Sequence, residues 1–293
     1  MPSTGQQPQE NLGKGISRNF GWVVLSQVVP LIAAAIAIPL LVNRIGEDRF
    51  GLLSLVWMLV GYFSLFDLGL GRALSQMVAQ RVGAGRPGEV RSIVLTGWAF
   101  LLALGIVGSA VCWAGSSALL NILKIPPGLA SEANDAVLML AAAIPLVVMT
   151  SGLRGSLEAL GQFSSTAAVN SVVGSAIFLG PLAAVHYSHS LTSLVGSIVA
   201  VRAVGLALYA HLFLTRAPAR SKTFRFEIRD GRDLLAFGGW MTITNVVGPV
   251  MVYFDRFLVG SLLSLSAVTL YVIPYELATK ILVLPAALFN VLL

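Results

Sequence analysis

Charge is what this chain lacks most. Of its 293 residues only 11% are charged, where a soluble globular domain carries roughly 25%, and this excludes an ordinary water-soluble enzyme. Cysteine is all but missing: Cys112 stands alone inside an apolar run, so neither an intramolecular disulfide nor a cysteine metal cluster can form. Histidine is nearly as scarce. His186 and His189 have no third ligand nearby, whereas a catalytic zinc takes three protein ligands, so no metal site is assigned. No Gly-x-x-x-x-Gly-Lys phosphate loop occurs, which argues against ATP hydrolysis. Long polar segments able to fold as a separate catalytic domain are missing too. No cofactor and no catalytic residue is expected.

What the chain has is apolar length. Apolar residues make up 56% of it, and a helix that crosses a bilayer takes about 20 of them in succession. Such runs fall near 20–42, 50–68, 93–114, 134–152, 164–185, 191–214, 236–261 and 267–291. The expected class is therefore all-α, a polytopic integral membrane protein with about eight transmembrane helices. A transmembrane β-barrel is disfavoured, because its strands alternate over about 10 residues and these runs are continuous. The first run, preceded by Lys14 and Arg18, is too long for a signal-peptide core and reads as an uncleaved span.

The net charge of +6 then concerns orientation and requires no nucleic acid. With the N-terminus in the cytoplasm, thirteen lysines and arginines fall on that side: Lys14, Arg18, Arg72, Arg81, Arg86, Arg91, Arg154, Arg216, Arg220, Lys222, Arg225, Arg229 and Arg232. The other side receives Arg44, Arg49 and Lys124. That asymmetry is what orients a chain in the membrane.

Four parts are expected: a cytoplasmic tail at 1–19, a six-helix lobe at 20–214, a cytoplasmic inter-lobe loop at 215–235 and the start of a second lobe at 236–293. The loop mixes six basic residues with Glu227, Asp230 and Asp233. An internal echo supports the division. Phe20-Gly21-Trp22 followed by Gln27-Val28-Val29-Pro30 returns as Gly238-Gly239-Trp240 followed by Asn245-Val246-Val247-Gly248-Pro249. Two parallel helical bundles with a substrate site between them are a known transporter plan. A full second bundle would need about four more helices after Leu293, so the chain reads as a fragment or truncated product.

Three segments carry a family resemblance. Phe50-Gly51-Leu52-Leu53-Ser54-Leu55 with Gly61-Tyr62-Phe63-Ser64-Leu65-Phe66-Asp67-Leu68-Gly69-Leu70-Gly71-Arg72-Ala73-Leu74 resembles the second helix of the bacterial polysaccharide transporters, the O-antigen and oligosaccharide flippases. Leu153-Arg154-Gly155-Ser156-Leu157-Glu158-Ala159-Leu160-Gly161-Gln162-Phe163 is similar to that family's connection between helices four and five, and Tyr253-Phe254-Asp255-Arg256-Phe257-Leu258-Val259-Gly260 to its seventh helix. The resemblance implies the multidrug, oligosaccharidyl-lipid and polysaccharide superfamily fold, with twelve or more helices in two lobes. It also implies the activity: translocation of an undecaprenyl-pyrophosphate-linked oligosaccharide across the bacterial inner (plasma) membrane for surface polysaccharide biosynthesis. Membrane lipids and a coupling ion, H+ or Na+, would be its other partners. A multidrug or other lipid exporter of the same superfamily, a membrane-embedded enzyme of glycan assembly and a non-transporting scaffold are the alternatives.

Depth ranks the ionisable residues, since a charge at the bilayer centre costs about 2.5–3.5 kcal/mol on insertion scales. At about 1.5 Å per residue, Arg202 lies roughly 16 Å into its span, and Glu276 and Lys280 roughly 14 and 20 Å into theirs. These three are the candidates for lining a substrate cavity. Glu276 and Lys280, four apart with the acid first, have a second reading, mutual neutralisation on one helix face. Arg202 has no acid within three or four positions and must find a partner elsewhere or face water. Asp255 and Arg256 count as about 28 Å deep, near the outer interface, where long side chains can snorkel. Asp67 and Arg72, at the end of the second span, and Arg154 with Glu158, on a cytoplasmic connection, are gate or coupling candidates beside Asp255 and Arg256. Each also has a structural reading, as a tight helix junction for Asp67 and a solvated pair for Arg154–Glu158.

Overall fold

A computed structural model of the chain describes residues 7–63, 67, 69–122, 125, 127–218, 254–276 and 278, with side chains from Leu25 onward except at 62, 119, 121, 122 and 127. Among the described residues it is helical, without strands. The elements are α1 (Gln7–Ile45), α2 (Glu47–Phe63), α3 (Leu70–Gly83), α4 (Val90–Ile122), α5 (Ala130–Ala159), α6 (Phe163–Ala184) and α7 (Leu191–Arg216). Helical segments at 254–262 and 265–276, here α8 and α9, follow. Five of the described helices, within α1, α4, α5, α6 and α7, are long and apolar enough to cross a membrane. This is a polytopic membrane protein.

The helix α5 stands at the centre and touches α2, α3, α4, α6 and α7, while α6 also packs on α1 and α7. Its sequence explains the position. Small residues close to its neighbours, Ala133, Ala136, Ala141, Ala143, Gly152 and Ser156, alternate with Val137, Leu140, Ile144, Val148, Leu153 and Leu157, and all are buried. Small residues let helix backbones approach where lipid supplies no hydrophobic drive between helices. Outward faces are apolar as well. Ile32, Ile36 and Leu40 on α1, and Ile106, Val107, Val111 and Trp113 on α4, are exposed, a pattern that water would not tolerate over such an area and lipid does.

The second apolar run, expected to span 50–68, is followed by a further helix. Its helix starts at Glu47 and ends at Phe63, and a separate helix, α3, begins after Gly69. Gly69 has φ 74°, a left-handed conformation that costs other L-residues roughly 1–2 kcal/mol. Sequence reading ended the span at 68 and assigned no separate helix to 70–83, where Arg72, Gln76, Gln80 and Arg81 interrupt the apolar pattern. α3 buries Leu70, Ala73, Leu74 and Val78 and turns polar residues outward.

The helix ends sort into two faces. At one lie the turns at Gly85 and Gly161. Both have left-handed φ, and in both the next residue donates back into the helix, Arg86 N to Arg81 O and Gln162 N to Leu157 O, each at 2.9 Å. This is the Schellman pattern that ends a helix at glycine. The opposite face holds Gly46, the 185–190 turn and the α8–α9 turn at 263–264, where Ser264 Oγ caps α9 by accepting from Ala267 N at 3.1 Å. Arg49 Nη2 donates to Glu132 Oε1 at 3.0 Å and Leu191 N to Glu132 Oε2 at 2.7 Å. One carboxylate thereby ties together the starts of α2, α5 and α7.

Candidate functional site

Apolar helices that keep a few polar residues on one face build a cavity of ≈ 290 Å³. Ser26, Gln27 and Pro30 come from α1, and Phe50, Ser54, Trp57 and Met58 from α2, at helical spacing. α6 adds Asn170, Gly174 and Phe178, again at intervals of four, and α7 adds Arg202. The α8–α9 pair closes the space with Arg256, Val272, Ile273 and Glu276. Where α1 meets α6 the approach is tight: a Cβ on Gly174 would stand 2.8 Å from Pro30 Cγ.

Arg202 and Arg256 are the cations among the described lining residues. Arg202 Nε is buried and meets no hydrogen-bond partner among the described residues. Arg256 is only 2% exposed. Its Nη2 donates to Glu276 Oε1 at 2.7 Å, and its guanidinium carbon sits 5.0 Å from the centre of the Tyr275 ring, within cation–π range.

Arg256 is thus buried against Glu276 and lines the cavity, where a side chain reaching for water was expected. α8 turns back at 263–264 into α9, so Arg256 and Glu276 come side by side although twenty residues apart. Arg256 lies seven residues, about 10 Å of helix rise, from that turn, and faces the cavity. Counting depth along one apolar run could not show which face the side chain takes. Asp255 is elsewhere, accepting hydrogen bonds from the Arg256 backbone N at 2.7 Å and from the Tyr271 hydroxyl. Glu276, expected beside Lys280, has Arg256 as a partner, and Lys280 lies outside the described residues.

The remaining candidates are not brought to this cavity. Asp67 is buried in the α2–α3 break, where Oδ1 accepts from Gly69 N at 2.8 Å and Oδ2 from Ser151 Oγ of α5 at 3.0 Å. Gly71 permits that junction, since its Cβ would stand 2.9 Å from both Asp67 Oδ2 and Ser151 Oγ. Arg72 is exposed at the start of α3. Arg154 Nε donates to Glu158 Oε1 at 2.8 Å on the last turn of α5, with both side chains partly exposed. His186 Nε2 lies 3.3 Å from Arg44 Nη1. Among the described residues no group of three metal-ligating side chains occurs.

Trp57 and Asn170 escaped the sequence reading. Their signal was available in the i, i+4, i+7 rows Phe50-Ser54-Trp57 and Asn170-Gly174-Ile177, each placing a polar side chain in a row without charge.

The cavity lined by α1, α2, α6, α7, α8 and α9, with two arginines among its residues, belongs to a chain whose sequence matches a known family. The model for polysaccharide biosynthesis proteins matches residues 16–293. The chain belongs to that family. A Shigella flexneri relative named "Putative O-antigen transporter" is 29% identical over 273 residues, which are 93% of this chain and 64% of the relative. This member therefore spans under two thirds of that relative's length. Solved structures share the fold at lower identity. An inward-facing multidrug resistance MATE transporter of the MOP superfamily superposes with a TM-score of 0.69 at 14% identity, over 85% of this chain and 59% of that one. The outward-facing form gives 0.69 at 15%, over 82% and 54%. A MOP-superfamily transporter from Pyrococcus furiosus gives 0.63 at 16%, over 80% and 55%. The family member described here thus shares its fold with those structures.

Proposed function

We propose that this polysaccharide biosynthesis family member takes part in moving a lipid-linked oligosaccharide, of the undecaprenyl-pyrophosphate type, across the bacterial inner membrane, without catalysing a covalent step. Its first lobe would be 20–214 and the start of its second 236–293, joined by the cytoplasmic loop 215–235, with the N-terminus in the cytoplasm. The observation that carries the reading is Arg202, a cavity arginine whose buried Nε has no partner among the described residues. A guanidinium offers planar paired donors that suit phosphate oxygens, and intramembrane charges ordinarily face a wet cavity or a partner. Lys280 would contribute a second, point-like positive charge. A cavity with Arg202 and Arg256 against Glu276 favours an anionic headgroup over the cations a multidrug exporter would take. Movement would follow from the two lobes rocking around this site, driven by an H+ or Na+ gradient.

Export of surface glycan, normalised to folded protein in the membrane, tests the reading in cells whose own transporter is deleted and which carry the full-length protein. Arg202→Ala should abolish normalised export, and Arg202→Lys should retain part of it, because the charge persists without the planar fork. Unchanged normalised export in Arg202→Ala would falsify the headgroup role.

A further inference from the structure

Three tryptophans have described side chains, and their N–H groups stand differently. Trp98 Nε1 donates to the Met149 carbonyl at 3.2 Å. Trp113 is 65% exposed. Trp57 Nε1 is buried and, among the described residues, meets no acceptor. A buried indole N–H ordinarily finds a partner, because an unmade bond leaves its desolvation uncompensated. Trp57 lines the cavity, so an acceptor brought in by a ligand can supply the missing partner.

The ring is also held in place. Phe50 meets it edge-on, with centroids 5.8 Å apart and planes at 77°, and Phe178 lies against it at 5.1 Å and 58°. Phe50 and Phe178 thereby hold the indole, and with it the N–H, in a fixed orientation. The lining also holds neutral polar residues: Ser26 and Gln27 on α1, Ser54 on α2 and Asn170 on α6. Charge comes from other helices, with Arg202 on α7 and the Arg256–Glu276 pair on α8 and α9. The cavity thus combines charged groups with neutral donors. At ≈ 290 Å³ it is at the small end of ligand sites, which run about 300–1,000 Å³, and suits a phosphate with one attached sugar better than a long oligosaccharide.

We propose that Trp57 Nε1 donates to a neutral oxygen, a hydroxyl or acetamido carbonyl, of the sugar unit next to the phosphate, and so makes the site selective for a glycosylated lipid. This rests on the cavity being the headgroup site. A single neutral N–H adds little to phosphate binding beside guanidinium groups, whereas a buried donor aimed at one sugar oxygen rejects ligands that lack it.

Equilibrium binding to the full-length protein in nanodiscs separates the possibilities. Two probes are used, a short-chain prenyl diphosphate bearing one N-acetylhexosamine and the same prenyl diphosphate without sugar. Trp57→Phe keeps the ring and removes the N–H, and it should weaken the glycosylated probe about 5-fold, the size expected of one neutral hydrogen bond, while leaving the sugar-free probe unchanged. Retained stoichiometry for the sugar-free probe reports intact folding. Arg202→Ala should weaken both probes. If Trp57→Phe leaves the glycosylated probe unaffected, or weakens both probes alike, the sugar contact is overturned while the Arg202 result stands. If the unsubstituted protein binds neither probe, or Arg202→Ala changes neither, the headgroup reading fails and the sugar contact fails with it.

Discussion

At the scale of single residues, the cavity is defined by where charge has a partner and where it does not. Arg256 and Glu276 bond at 2.7 Å, with side-chain exposures of 3% and 24%. Removing one member of a fully buried pair costs about 3–5 kcal/mol, since the other charge is left in a low-dielectric site. The partial exposure of Glu276 reduces that figure, to about 2 kcal/mol by the same reasoning. Arg256→Ala is therefore expected to lower the thermal stability of the detergent-solubilised protein, and the double variant Arg256→Ala/Glu276→Gln to recover most of the loss. Equal stability of single and double variants would show that the pair does not hold α8 to α9. Arg202 differs. With no acid bonded to it among the described residues, its substitution should alter export more than folding.

Elements meet most closely where α2 begins. A Cβ placed on Gly51 would overlap the Leu265 carbonyl, so α2 and α9 touch backbone to backbone. Polar bonds flank that contact: Ser266 Oγ donates to Asp48 Oδ1 at 2.7 Å, and Thr269 Oγ1 to the Glu47 carbonyl at 2.8 Å. Together these fasten α9 to the start of α2 at the face that carries Gly46 and the α8–α9 turn. Gly51→Ala should force the two helices apart there. With cysteines at Asp48 and Ser266, disulfide formation under mild oxidation is expected to be efficient in the Gly51 background and to fall several-fold with Gly51→Ala. An undiminished yield would mean that the helices accommodate the methyl group without separating.

For the whole molecule, the distribution of charge between the two faces sets orientation. Among the described residues, Arg81, Arg86, Arg91, Arg154 and Arg216 belong to the face with the Gly85 and Gly161 turns, while Arg44 and Arg49 belong to the other. Basic residues stay on the cytoplasmic side. In a protein whose Cys112 has been replaced, a cysteine at Tyr187, 93% exposed in the α6–α7 turn, should react with an impermeant thiol reagent added outside intact spheroplasts. A cysteine at Arg86 should react only after permeabilisation. The reverse pattern would invert the topology and place Arg225, outside the described residues, on the outer side.

Sequence by itself determined the class of this protein. Long apolar runs admit only spanning helices, because a backbone in lipid must satisfy its own hydrogen bonds, and the motifs around Asp67, Arg154 and Arg256 carried the family. Those properties are local or additive along the chain, so composition and order suffice to read them. The cavity is neither. Trp57, Asn170, Arg202 and Arg256 belong to four helices, and which helix faces meet depends on close approaches at Gly51, Gly71 and Gly174 that no run of hydropathy records. Arg256 shows the difference most plainly: its depth along the apolar run suggested the interface, and only the folding back of α8 into α9 turned it toward Glu276 and the cavity. Tertiary packing decided the site, because a side chain's partners are fixed by steric fit between helices distant in the chain.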